Sequence, residues 1–472
     1  MRKWWPLAAV CSGSFVFLLD TTVLSVALPR IGGDLAAPLP ALEWVANVYT
    51  LVLAVLMLPM GSLSDRFGAR GLYVSGLTMF GLASLGCALA PGAGTLIAAR
   101  GVQGVGGAAL AVSTFTLIGS VYRGPDMGRA MGVFGAVTGL GAATGPMLGG
   151  VLTEWLGWRS VFFLNVPLVA VTIVLAVRVL DGHRQAIRTR ADLPGMAAFA
   201  LCAGSLTYAL TVAGEEGWTS PEVLGLLCFA AVALAAFVRT ELGSAAPLLD
   251  VRLFARPAFC AVMLCTLAST AAFAALVYTS LWLQSGRELG PVRAGLALMP
   301  LALASFVTSL VSGRRLHGAS PRAVLGTGLG LGLSGIGCAL QAMPGGHSSV
   351  GSLAVGLTVT GVGVGLLGPA LGAAVFAALP PERGGMAAGA MTTFRQLGQT
   401  LGVAVFGVLF QQGATAGPAR VLAAAAGVGV VGAVLAFVWG PKGRARSETV
   451  RRPVPLTPSP TRSGPTPRPP RR

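Results

Sequence analysis

Of 472 residues, 54% are apolar and only 10% are charged, and the mean hydropathy is +0.76. Soluble domains carry about 25% charge, so 33 basic and 16 acidic residues cannot clothe a water-soluble core of this length. The composition excludes a soluble protein and makes the lipid bilayer the outer solvent. A net charge of +17 would suit a nucleic-acid partner in a soluble chain. Here the arginines fall in short runs between long apolar stretches, which assigns them to the membrane surface and excludes nucleic acid.

The seven cysteines, at 11, 87, 202, 228, 260, 265 and 338, lie in apolar stretches, form no C-x-x-C pair and are odd in number. They read as small hydrophobes rather than disulfide or zinc partners. His183, His317 and His347 fall in separate loops, so no metal cluster is expected. No nucleotide loop or nucleophile–base pair appears, so neither an enzyme nor a cofactor is expected.

A helix needs about 20 apolar residues to cross the hydrocarbon. Cutting the chain at charges and Pro/Gly turns leaves fourteen such stretches. The first, 7–29, follows the basic start MRKWW; Asp20 interrupts it, which favours an anchor over a cleaved signal. Stretches 44–63 and 72–90 flank the loop GSLSDRFGARGLYVSG, and 95–119 carries Arg100. Stretch 131–152 holds GVFGAVTGLGAATGPMLGG, and 160–180 closes a first group of six. Stretches 193–213 and 221–239 follow. The last six are 258–284, 293–312, 322–342, 348–371, 384–410, which carries Arg395, and 419–439. Each is twice the length of a barrel strand and lacks alternation, so strands are excluded.

With the N-terminus inside, only Arg30, Arg159, Arg287, Arg293 and Arg420 fall outside, and Arg100 and Arg395 fall within spans. The other basic residues gather on the inner face, as the positive-inside rule requires. An even number of spans returns the C-terminus to the cytoplasm. There, residues 441–472, rich in Pro and Arg, read as a disordered tail. The expected layout is a six-helix bundle over 1–181, an inserted helix pair over 182–250, a second six-helix bundle over 251–440, and the tail. The loop SGRRLHGASPRAVLGTG at 312–328 weakly echoes GSLSDRFGARGLYVSG, as a repeat of the first six spans in the last six requires.

Several stretches carry a family resemblance. GSLSDRFGARG at 61–71 resembles the signature loop between spans two and three of the major facilitator superfamily. FVFLLDTTVLSVALP at 15–29 resembles the first-span motif of its fourteen-span drug/proton antiporters, the EmrB/QacA type. LIAARGVQGVGGAAL (96–110), GLGAATGPMLGG (139–150), WRSVFFLNVP (158–167) and, more thinly, TTFRQLGQTLGVAVFG (392–407) are similar to others of that family. The resemblance implies an all-α, fourteen-span fold and a monomeric, proton-driven exporter of lipophilic compounds in a cell membrane. Lysine appears only at Lys3 and Lys442, a usage that fits a GC-rich bacterial genome.

The residues themselves allow that chemistry. An ionised carboxylate in hydrocarbon is expensive, so Asp20 is expected to face the bundle interior and bind and release a proton as its surroundings alternate; a fixed interhelical pair is the alternative. Arg100 keeps its charge and needs an interior acceptor, with Asp20 as candidate; the resemblance adds a role in proton movement, and a structural ion pair is the alternative. Arg395 is a comparable intramembrane charge. In the loop, Gly61 and Gly68 permit a tight turn, and Asp65 can sit against the positive end of a helix beginning near Gly384. The resemblance implies that Asp65, Arg66 and Arg70 form a conformational latch; the alternative is a charged loop that sets orientation. Gly141, Gly145, Pro146, Gly149 and Gly150 form the glycine-proline motif that the resemblance links to exporters, with generic close packing as the alternative. Phe17, Thr21, Gln103, Trp282 and Gln284 are expected to line a midplane pocket for neutral, weakly acidic or monocationic compounds. Two other classes stay open: a metabolite transporter on the same fold, and a membrane receptor or scaffold that transports nothing.

Overall fold

The computed structural model of the chain describes residues 2–123, 125–180, 192–244, 247–315, 321–343, 350–378, 384–411 and 417–439. His183, His317, His347 and the tail 441–472 lie outside the described residues. Among the described residues there is no strand. The helices are α1 (Trp5–Asp34), α2 (Leu39–Phe67), α3 (Ala69–Ala88), α4 (Ala93–Val121), α5 (Pro125–Trp155), α6 (Arg159–Val179), α7 (Leu193–Glu216), α8 (Pro221–Gly243), α9 (Pro257–Phe273), α10 (Ala275–Leu281), α11 (Pro291–Arg315), α12 (Pro321–Ala342), α13 (Val350–Ala378), α14 (Gly384–Gln411) and α15 (Gly417–Trp439).

Each apolar stretch of the sequence coincides with one of these helices, with α9, α10 and a π-helical turn at Trp282–Gly286 together covering the ninth. The helices overrun the apolar stretches, since backbone pairing continues into the interfacial zone until something caps it. α2, for example, ends only at Gly68. Its φ of 88° is open to glycine and strained for other residues, and its N–H donates to the Ser64 carbonyl at 3.0 Å. Among the described residues eleven helical segments are long and apolar enough to cross a membrane. α5 packs between α1 and α11, α12 between α13 and α15, and α14 between α2 and α9.

The packing repeats. In the first half α1 lies on α4, α5 and α6, while α4 lies on α2 and α3. In the second, α9 lies on α13, α14 and α15, while α13 lies on α11 and α12. The glycine approaches repeat as well. A Cβ on Gly106 would come 2.8 Å from the Gly76 carbonyl, and Gly363 meets Gly330 in the same way in the other half. Gly104 backs onto Tyr49 and Val52 of α2 as Gly361 backs onto Leu301 and Ala304 of α11. Such close approaches are how helices associate where lipid removes the hydrophobic drive between them. The halves meet along α2–α14 and α5–α11. α7 covers the first of these seams, touching both α2 and α14, with Trp44 stacked on Tyr208 at 5.8 Å; α8 packs mainly on α7. Side chains such as Leu82, Val171 and Val232, each about two-thirds exposed, form the outer apolar surface.

Candidate functional site

Five helices of the first half converge on one carboxylate. Asp20, in mid-α1, has no side-chain exposure, and Arg100 of α4 has 1%. Arg100 Nη1 donates to Asp20 Oδ2 at 2.7 Å and to Gln103 Oε1 at 2.6 Å. Gln103 Nε2 and Asn165 Nδ2, from α4 and α6, donate to Asp20 Oδ1 at 2.9 and 2.7 Å. Ser84 of α3 accepts from Gln103 Nε2 at 2.8 Å and donates to the Phe80 carbonyl. Arg100 also bonds α2: its Nε donates to the Val45 carbonyl at 3.2 Å, and its guanidinium lies 4.2 Å from the Tyr49 ring centroid. The cluster is dry, charge-balanced and fully hydrogen-bonded at its carboxylate, the condition under which a buried ion pair is tolerated.

The sequence places Asp20 and Arg100 here as candidates, and the structure pairs them. Gln103, a candidate both for the pocket wall and for reaching across from α4 beside Arg100, is 0% exposed, and its amide bridges Arg100, Asp20 and Ser84. Asn165, Ser84 and Tyr49 were missed. The one available signal was Asn165, an amide alone in the apolar run VFFLNVPLV.

The other pocket candidates separate. Phe17 is half-buried against Tyr49 at 6.3 Å, and exposed Thr21 donates to the Phe17 carbonyl at 2.9 Å. Trp282 and Gln284 stand in the π-helical turn that ends the α9–α10 rod, Trp282 among Phe273, Leu276 and Leu298. Phe17 and Thr21 thus belong to the first half and Trp282 and Gln284 to the second.

The loop residues divide likewise. Asp65 accepts from Gly385 N at 2.6 Å and Met386 N at 3.0 Å, capping the start of α14 across the two halves. Gly61 makes room for this: a Cβ there would come 2.6 Å from the Gly385 carbonyl. Arg70 stays within its own half, donating to the Val177 carbonyl near the end of α6 at 2.7 Å, where a cation suits the helix dipole. Arg66 is exposed and lies over its neighbour Phe67 at 5.2 Å. Gly61 and Asp65 thus make a trans-half contact, while Arg70 bonds α6 within its own half. A second contact lies at the same end, where Ser309 of α11 donates to the Gly132 carbonyl of α5 at 3.0 Å.

In α5, Gly141 and Gly149 let α1 approach, a Cβ at each coming 3.3 Å from Phe15 and 3.0 Å from Val23; Gly145 backs onto Thr22. Gly150 meets nothing within 4 Å and takes no part, because it lies on the far side of the helix from α1. α5 continues unbroken through Pro146. Arg395 of α14 is exposed, with its guanidinium 5.7 Å from the Phe115 ring of α4.

Among the described residues one further acid is buried, Glu241 at the end of α8, 4% exposed; its Oε2 accepts from Leu249 N at 3.0 Å. At the opposite end of the bundle Asp34 accepts from Trp158 Nε1 at 2.9 Å and Arg159 Nη1 at 2.5 Å. The Trp158 and Arg159 bonds hold its carboxyl below the ordinary value of 3.8.

The described helices thus form a bundle of two like halves with an ion pair buried in one of them. Residues 10–328 match the Major Facilitator Superfamily. The chain is 33% identical over 404 residues to multidrug resistance protein Stp of Mycobacterium tuberculosis, covering 85% of this chain and 74% of that one. It is 35% identical over 423 residues to puromycin resistance protein pur8 of Streptomyces alboniger, covering 88% and 83%. The solved structure of the human organic anion transporter MFSD10 (TETRAN) superposes with a TM-score of 0.68 over 92% of this chain and 99% of that one, at 14% identity, a likeness of fold alone. The chain belongs to the major facilitator superfamily and is a multi-pass membrane transporter rather than an enzyme.

Proposed function

We propose that this chain exports lipophilic drugs from the cytoplasm by alternating access, driven by inward proton flow through Asp20, and that all fourteen apolar stretches span the membrane with both termini inside. Relatives named for multidrug and puromycin resistance support the cargo class. The observation that carries the coupling is the ion pair of Asp20 and Arg100, buried from solvent in mid-bundle. A proton reaching Asp20 competes with Arg100 for Oδ2. Arg100, once released, no longer ties α1 to α2 and α4, because its bonds to Asp20, Val45 and Tyr49 are made from one posture. α1 rests on α5 through Gly141, Gly145 and Gly149, and α5 meets the other half through Gly132, so movement of α1 is felt at the seam. In this conformation Asp65 joins the two halves at its end of the bundle; with that end cytoplasmic, the conformer is closed inward.

The test is accumulation of a panel of antibiotics and dyes in cells carrying the protein or Asp20→Asn. The wild type lowers accumulation and Asp20→Asn does not, at equal membrane abundance. An Asn variant that still drives cargo outward against its gradient would overturn the proton role.

A further inference from the structure

Arg395 is not explained by the proton cluster. It lies in the middle of α14, and positions 391, 392, 398 and 402 around it on the helix are buried. α14 itself is enclosed by α2, α4 and α7 on one side and by α9, α10 and α15 on the other. The guanidinium reaches the Phe115 ring of α4, in the opposite half, and Phe115 in turn packs edge-on to Phe134 at 5.0 Å. The exposure of Arg395 is therefore to the gap between the halves rather than to lipid. Among the described residues it has no carboxylate within ion-pair distance. The other deep charges cancel, since Asp20 and Arg100 neutralise each other, and the gap is left with one net positive charge. An arginine cannot shed its proton to escape that condition, and an unanswered charge at membrane depth is costly.

We propose that Arg395 is a cargo-binding residue that takes the carboxylate or sulfonate of a lipophilic anion lodged in the gap between the halves. The planar fork suits a carboxylate or sulfonate oxygen pair, and buried Phe115 holds the guanidinium in place from the side of α4. This deepens the export reading by giving the cargo a charge, and rests on it only in calling the bound anion cargo.

Two probes share one aromatic body and differ by a sulfonate: 8-anilinonaphthalene-1-sulfonate and neutral N-phenyl-1-naphthylamine. Binding of each to the purified full chain in nanodiscs, corrected for empty nanodiscs, is measured for wild type, Arg395→Gln, Arg395→Lys and Phe115→Glu. The wild type binds the sulfonate about tenfold or more tightly than the neutral probe, the scale of one charge-assisted bond. Arg395→Gln removes that preference and Arg395→Lys keeps its sign. Phe115→Glu retains the arginine but supplies an internal counter-ion, and also removes the preference, which keeps the test open if Arg395→Gln fails to fold. A wild type that binds both probes alike, or a preference that survives Arg395→Gln or Phe115→Glu, overturns the proposal. Sulfonate preference without gradient-driven efflux would leave the anion site standing and sink the export reading instead.

Discussion

Asp20 and Arg100 hold each other in place, and each is worse off alone than both are absent. Removing one partner of a buried pair costs about 3–5 kcal/mol because the other charge is left unanswered. Arg100→Met should therefore lower the apparent Tm of the purified protein steeply, while Asp20→Asn with Arg100→Met should recover most of the loss. A double variant as unstable as Arg100→Met would mean that packing, not charge, is the main contribution of Arg100. The two charges were legible in the sequence because an ion inside an apolar run must be paired or functional. Asn165 and Ser84 were not, since small polar side chains are common in membrane helices and their convergence on Asp20 is decided by how α3 and α6 pack. The amide of Gln103 would suit a pocket wall or a charge cluster equally, and only its burial separates the two.

Among elements, the α2–α14 contact joins the two halves at the Asp65 end, and the proposed cycle requires it to open. Two donors at the start of α14 bond one carboxylate, so Asp65→Ala removes charge-assisted bonds of about 1.5–3 kcal/mol each. Spin labels placed at that end of α2 and of α14 should show a longer, broader distance distribution in Asp65→Ala, with transport impaired at normal abundance. An unchanged distribution would contradict the joint. This contact was foreseeable because an acid in a glycine-flanked turn seeks a helix N-terminus; the bond of Arg70 to α6 depends on where α6 ends, which hydropathy does not specify. The opposite end offers a pH test. Asp34 is held below the ordinary carboxylate value by its bonds to Trp158 and Arg159. A depressed acid adds stability above its unfolded value and loses it as pH falls through the folded one. The Tm gap between wild type and Asp34→Asn should thus be full at neutral pH and shrink below about 4. A gap that is constant down to pH 2 would contradict it.

At the scale of the molecule, two like bundles differ in chemistry. The first carries a buried ion pair. In the second, α12 and α13 meet through Gln341, which donates to Thr360 at 3.1 Å, and no buried ion pair occurs among the described residues. One half thus holds the buried ion pair, while the other brings Arg395 to the gap between them. The apolar runs marked out the helices because nothing else in a chain of this composition can satisfy its backbone in lipid. They could not tell that α7 would cover one seam, since that depends on packing between Trp44 and Tyr208 rather than on apolarity. The central claim, that Asp20 carries the proton exchanged for cargo, is tested most directly by pyranine fluorescence inside proteoliposomes when 8-anilinonaphthalene-1-sulfonate is added under an imposed pH gradient. Wild type should show probe-dependent proton movement and Asp20→Asn none, although the variant still binds the probe. Probe-dependent proton flux that persists in Asp20→Asn would contradict the account.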